Sequence, residues 1–364
     1  MFVRPVFTRR DVTLGLLTSL GVGVVLVLQL LTMASSNAPG FLQLDLVFHQ
    51  PASRAEAMVA RMDGHFTAEL AADPTLDRTR RDFAPDPTDG AYRSSRPLLG
   101  WVTWALSLGG RRPLLAPAIL VLAAASAGAL TVAVALVARS LGWTARAPWL
   151  ILFAPGALIA VWNPGLTEVL ATTLALAGFV AHRRGRAGWA VLLFSLAVLS
   201  RETTFLIPAA LVAGDVITHR RWRSLSLVAV PAACYVAWSQ VVQQLLGHTS
   251  GAGGARQLSL PGVGFVGAIP FWGPLELAGL LVVLVSAVVA WRSGDREVRL
   301  VVLAFVAFAS VMGTIVWSEW WGFGRVFLPL AAFGVASFRT DGRGAGVCTA
   351  TSETGAVPEV ALNR

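Results

Sequence analysis

Long apolar runs separated by short arginine-bearing segments set the pattern of this chain. The first run, residues 13–33, follows Arg4, Arg9 and Arg10. A helix of about 20 apolar residues crosses the hydrocarbon core of a bilayer, and a run of that length exceeds the roughly 7–15 residues of a signal-peptide core. It predicts an uncleaved first span with a cytoplasmic N-terminus. Residues 34–97 are too polar to cross. Within them ASRAEAMVARMDGHFTAELAAD mixes helix formers with apolar positions at helical spacing, which predicts an amphipathic helix at the membrane interface. The PTLDRTRRDFAPDPTDGAYRSSRP that follows is turn-rich and reads as loop. Residues 113–138 form the next span, and the preceding PLLGWVTWALSLGG is too short to cross alone, so it lies at the interface or re-enters.

Beyond residue 138 the apolar runs alternate between two kinds of connection. Arg139 with Arg146, HRRGR at 182–186, HRRWR at 219–223, WRSGDREVR at 291–299 and Arg339 with Arg343 form one kind. WNPGLTE at 162–168, SRETT at 200–204, the Gly-rich stretch 247–274 and WSEWWGFGR at 317–325 carry little or no arginine. Counting about ten spans places every arginine-rich loop on the side of the N-terminus, as the positive-inside rule requires. Arg78, Arg80 and Arg81 weigh less, because long loops translocate largely regardless of charge. The expected fold class is therefore all-α: a polytopic integral membrane protein whose transmembrane domain occupies residues 1–338, with a long first extracytoplasmic loop at 34–97. Residues 339–364 read as a disordered cytoplasmic tail.

Composition agrees. The chain is 55% hydrophobic and only 13% charged, where a soluble domain carries about 25% charged residues. The formal net charge of +9 is spread through the interhelical loops and forms no single basic face, so nucleic acid is excluded as a partner and the lipid bilayer is expected instead. All 29 basic residues are Arg, which points to a GC-rich bacterial genome and hence to a bacterial plasma membrane. Cys234 lies in an apolar run and Cys348 in the tail, so no disulfide is expected between them. The five histidines show no zinc spacing; neither metal nor cofactor is expected.

The stretch LSRETTFLIP poses the chemical question, because ionisable groups at mid-bilayer cost roughly 2.5–3.5 kcal/mol each on insertion scales. The predicted topology puts Arg201 and Glu202 at an outer turn, facing water. Asp63, His65, Glu69, Arg93, Arg96, Asn163, Glu168, Glu319 and Arg325 fall on the same side. The spans themselves are almost wholly Ala, Leu, Val and Gly, with no paired repeat of broken helices such as a transporter uses. There is no GxSxG elbow, Walker lysine or HExxH helix. Carboxylates and arginines beside lipid suit group transfer from a lipid-linked phosphate, with a carboxylate as base and guanidinium groups on the leaving phosphate.

Four local patterns carry a family resemblance: MDGHFTAEL with Asp63 and Phe66, AYRSSRPLLGWVTWALSLGG, GRVFLPL with Arg325 and Pro329, and the turn LSRET. Together they resemble the GT-C superfamily of polytopic membrane glycosyltransferases, in particular its bacterial, mannosyltransferase-like branches, over residues 13–338. The resemblance implies a polyprenyl-phosphate-linked sugar as donor and a cell-envelope glycan, lipid or protein as acceptor, on the extracytoplasmic side. It makes Asp63 the expected general base, with Glu202 as a second catalytic carboxylate that orients Arg201 or bonds acceptor hydroxyls. Arg96, Arg201 and Arg325 are expected to hold the donor phosphate. Arg93, Tyr92, His65 and Glu168 are expected to line the substrate site. The first loop lacks a DxD pair, so no metal is added. Two other classes stay open, a flippase for a lipid-linked glycan and a non-catalytic scaffold for envelope-polymer assembly. The shared sidedness is testable in a background lacking both native cysteines. Single cysteines at 63 and 201 are expected to react with a membrane-impermeant maleimide on intact cells, and one at 184 only after permeabilisation; opposite labelling of 63 and 201 removes any common site.

Overall fold

The computed structural model describes residues 8–33, 53–76, 87–219, 222–247 and 257–338. Arg4, the arginines at 78, 80 and 81, Cys348 and the tail 339–364 lie outside them. Helix α1 (Arg9–Thr32) leads to α2 (Arg54–Val59), α3 (Gly64–Ala72), α4 (Pro87–Ser94), α5 (Leu98–Leu106) and α6 (Arg112–Ser140). The chain continues through α7 (Pro155–Trp162), α8 (Glu168–Arg183), α9 (Ala187–Ser200), α10 (Leu206–His219) and α11 (Ser226–Leu246). Helices α12 (Val263–Ala268), α13 (Pro274–Ser293), α14 (Arg296–Val311), α15 (Thr314–Trp317), α16 (Trp320–Val326) and α17 (Leu328–Ser337) complete it. Among the described residues there is no sheet, only an isolated antiparallel bridge between Leu258 and Met312.

Among the described residues, four helical stretches are long and apolar enough to cross a membrane: Arg9–Thr32, Arg112–Ser140, Trp222–Leu246 and Pro274–Ser293. The two expected spans at 13–33 and 113–138 coincide with α1 and α6. Local signals fix their ends. Thr8 and Asp11 form a reciprocal capping box at the start of α1. Proline occupies the first turn of α6, α7, α13 and α17, where its missing N–H has no intrahelical partner to lose. Helices α8, α9 and α10 have 16, 14 and 14 residues; at about 1.5 Å per residue each falls short of a ~30 Å hydrocarbon core. Leu16, Leu20 and Leu31 on α1 and Leu275 and Leu281 on α13 are more than half exposed, the apolar surface that a membrane protein presents to lipid.

The first loop differs from its sequence reading. Instead of one interfacial helix it holds two, α2 and α3, broken at Ala60–Asp63, where Met62 takes a left-handed φ of 47°. Nor does α3 float on an interface. Phe66, Thr67, Ala68, Glu69, Leu70 and Ala71 are all buried, because α5 and the α7–α8 turn close over it. Gly100 of α5 is what lets the two backbones meet: a Cβ there would stand 2.5 Å from Cβ of Leu70. Thr67 Oγ1 donates to the Gly165 carbonyl at 2.8 Å. The stretch read as loop contains α4, whose residues Ala91, Tyr92 and Ser94 are buried, as is Ser95 just after it.

Charged groups gather at both ends of the bundle and leave its middle apolar. At one end Arg139 at the foot of α6 forms a bidentate pair with Asp11 (2.8 and 2.6 Å), and Arg183 at the foot of α8 bridges Asp295 and Glu297. Phe179, whose ring lies under Arg183, meets Phe333 edge-on at 5.0 Å, and Phe194 and Leu130 are fully buried in the same core. The N-termini of α6 and α8 lie at the other end, beside α2 and α3. Helix α16 joins that end by packing on α7 through Gly324 and Gly156. A Cβ added to Gly324 would stand 2.5 Å from Cβ of Pro155, an overpacking of the kind that costs about 1–3 kcal/mol. Gly324→Ala is therefore expected to lower the melting temperature of the detergent-solubilised protein; an unchanged temperature would mean that this contact does not fix α16.

Candidate functional site

Three carboxylates and four guanidinium groups from five parts of the chain meet at the α3 end of the bundle. Asp63 stands at the position before α3, where an aspartate ordinarily caps the helix by accepting backbone N–H groups. It makes no such bond. Its Oδ2 instead pairs with Arg93, in the last turn of α4, and with Nη2 of Arg325 at 2.5 Å. Glu168, the first residue of α8, is 1% exposed and sits at the positive end of that helix, where a carboxylate is favoured. Its Oε1 accepts from Arg325 Nε at 2.6 Å and lies 2.8 Å from Arg201 Nη1.

Arg201 is held differently from its neighbours. Although Nη1 is close to Glu168, the approach lacks hydrogen-bond geometry: Arg201 Nε and Nη1 and Glu168 Oε2 are buried without a hydrogen-bond partner. It is an ion pair with donors to spare. Arg96 is the opposite case. Its Nε and Nη2 grip Glu202 Oε2 and Oε1 at 2.7 and 2.6 Å, the fork geometry in which a guanidinium matches a carboxylate best. Arg96 also donates to the Tyr92 hydroxyl and stacks over its ring, 4.3 Å from the centroid. Tyr92 Oη lies 3.0 Å from Glu202 Oε1 and 3.2 Å from Gln257 Oε1.

The sequence reading coupled Arg201 with Glu202. The structure separates them: Glu202 pairs with Arg96 and Arg201 with Glu168. Arg201 has extended backbone (φ −157°, ψ 118°), so adjacent side chains leave on opposite sides and cannot form a pair with each other.

Electrostatics keep the cluster charged. Burial pushes the Asp63 carboxyl up, but Arg93 and Arg325 outweigh it and hold the group well below the usual carboxylate range. Glu202 follows the same balance, burial opposed by Arg96 and Arg201, with a net depression. For Arg201, burial and the neighbouring Arg96 act together and lower its pKa; a guanidinium nonetheless stays protonated in proteins.

Two spaces open at this cluster. The smaller, about 20 Å3, is lined by Asp63, Arg93, Arg96, Thr67, Thr167 and Arg325 and holds about one water. The larger has a volume of about 450 Å3. Tyr92, Arg201, Glu202, Tyr235 and Gln257 give it one polar wall, and Phe205, Leu206, Phe308, Met312 and Val316 give it apolar ones. Among the described residues no three His, Cys, Asp or Glu side chains gather as metal ligands do.

Of the residues singled out from sequence, Asp63, Arg93, Arg96, Tyr92, Glu168, Arg201, Glu202 and Arg325 converge here. His65 does not. Its Nδ1 bonds the Met62 carbonyl at 2.5 Å and its ring packs on Phe66, so it braces the break between α2 and α3 and lines neither space. Asn163 likewise serves its own turn, through Met62 and the Ile159 carbonyl. Sequence reasoning missed Tyr235 and Gln257. The chain has only two tyrosines, and both line the larger cavity; a polar aromatic inside the apolar run of α11 was the available signal. Gln257, in a Gly-rich stretch, gave none.

No protein-family model, curated protein or solved structure matches this chain. The geometry therefore carries the functional argument. Glu168 is its keystone: Glu168→Gln leaves Arg201 and Arg325 buried against a neutral amide, and breaking a buried pair by removing one partner costs about 3–5 kcal/mol. A marked fall in melting temperature in detergent, larger than for Gly324→Ala, is the expected result.

Proposed function

We propose that this chain is an integral-membrane glycosyltransferase that moves a sugar from a polyprenyl-phosphate donor to a cell-envelope glycan, lipid or protein. One observation carries the reading. A buried guanidinium with unused donors, Arg201, borders a cavity of about 450 Å3 whose remaining walls are largely apolar. An anion with a long apolar tail satisfies each of these features, and a glycosylated polyprenyl phosphate is a singly charged phosphodiester of that kind. Arginine suits the task because its planar fork matches phosphate oxygens and it stays charged away from water.

On this reading an acceptor hydroxyl attacks the anomeric carbon. The new C–O bond forms as the bond from that carbon to the phosphate oxygen breaks. The hydroxyl proton passes to Asp63, and the bond electrons stay on the phosphate, which leaves as polyprenyl phosphate. Arg201, Arg96 and Arg325 meet the added negative charge, and stabilising charge that develops only in the transition state is what accelerates a reaction. Glu202 holds Arg96 and Tyr92 in place. In this proposal the short helices α7–α10, α14 and α16–α17 cross alongside the four long ones to give about ten spans, the arginine-rich end faces the cytoplasm of a bacterial cell, and the site opens extracytoplasmically.

The test is transfer from a radiolabelled polyprenyl-phosphate sugar in membranes. Asp63→Asn is expected to reduce it by a factor of about 100 or more, the scale of general-base catalysis, at unchanged protein abundance. Arg201→Ala is expected to raise the donor KM. Full transfer by Asp63→Asn would move the base elsewhere, and loss of the protein in Arg201→Ala would make that residue structural.

A further inference from the structure

Resting on the glycosyltransferase reading, we propose that Gln257 determines which donor sugar is accepted by hydrogen-bonding the sugar itself, leaving the phosphate to Arg201. Gln257 begins a strap that closes one side of the larger cavity. The strap is fastened along its backbone to the end of α14. Ser259 N–H donates to the Val311 carbonyl at 2.8 Å, Gly262 N–H to that of Ser310 at 2.7 Å, and Gly313 N–H to the Gln257 carbonyl at 2.7 Å. Ser259 Oγ adds a bond to the Met312 carbonyl at 3.0 Å. None of these involves the Gln257 side chain, so its amide is carried on a fixed backbone and is free to change partners.

Its present partner is one it holds weakly. The Tyr92 hydroxyl has a single hydrogen and two acceptors in reach, Glu202 Oε1 at 3.0 Å and Gln257 Oε1 at 3.2 Å. A carboxylate is the stronger acceptor, and the Tyr92 oxygen already accepts from Arg96. Whichever way the amide is turned, Gln257 is the dispensable member of that group. It is also, among the described residues lining the cavity, the one carboxamide. Arg201 offers only donors and Glu202, ionised, only acceptors, whereas an amide offers both. Neighbouring sugar hydroxyls, each donor and acceptor, match that pair of functions without bringing a charge out of water. Its contact with Tyr92 places the amide beside the Arg96–Glu202 pair, in the same cavity that Arg201 lines.

The experiment compares lipids of equal charge. Binding to the full-length protein in detergent is measured for methyl decaprenyl phosphate, a singly charged diester without sugar, and for the mannosyl, glucosyl and arabinofuranosyl diesters of the same lipid. The wild type is expected to bind one glycosyl diester more tightly than the methyl diester. Gln257→Met, which keeps side-chain volume, and Gln257→Ala are both expected to weaken that glycosyl diester by about three- to ten-fold, the worth of one neutral hydrogen bond. Their affinity for the methyl diester stays as in the wild type, while Arg201→Ala weakens both lipids. If the Gln257 variants weaken both lipids alike, or neither, the inference is overturned and the strap is structural. Equal wild-type binding of methyl and all glycosyl diesters overturns it too but leaves the lipid-phosphate reading standing. Binding of none removes that reading and this inference with it.

Discussion

The carboxylate of Glu168 is the point on which the site end of the bundle hangs. A charge that is 1% exposed survives only if paired, and a buried carboxylate shared by two guanidinium groups requires both to arrive from elsewhere in the chain. Arg201 comes from the α9–α10 turn and Arg325 from α16. Arg325 then passes the constraint outward: its other nitrogen holds Asp63, and Asp63 holds Arg93. The break between α2 and α3, the end of α4, the tops of α8 and α9 and the start of the last helical segment are thus set by one chain of alternating charges. Glycines at 100, 156 and 324 let the backbones come close enough for that chain to close.

What the sequence made legible was hydropathy and the gathering of polar site residues at one end of the bundle. The apolar runs at 13–33 and 113–138 found α1 and α6 because a long uninterrupted run leaves a helix as the form that satisfies its own backbone in lipid. Eight of the nine site residues named from sequence reach the cluster, because charges excluded from apolar spans must collect at helix ends. Pairing was not legible. Arg201 and Glu202 are neighbours in sequence, yet extended backbone turns them apart, and each finds a partner from a remote segment. The same limit explains the broken loop helix. Its apolar periodicity runs through residues 60–63 without a proline, and the interruption at Met62 falls where Asp63 pairs with Arg93 and Arg325 and Gly64 lets the chain pass close to Val59 and Gly165. His65 was misjudged for the reason that composition cannot show which polar groups a turn uses for itself.

A network of seven charges, four of them buried, is a poor way to stabilise a protein, since replacing buried charges with well-packed apolar groups is often neutral or favourable. This one is also incompletely bonded, with unsatisfied atoms on both Arg201 and Glu168. Strongly perturbed ionisable groups beside a cavity are what functional sites look like. Phe194 and Phe333 are fully buried in the core, and Phe179 lies buried under Arg183 at the end opposite the cluster. On the glycosyltransferase reading a lipid headgroup needs only the rim, whereas a flippase would need a polar route across. The apolar walls of the larger cavity add a second requirement that a purely polar substrate would not meet, so the arrangement fits a ligand whose charged head and greasy tail enter the same space.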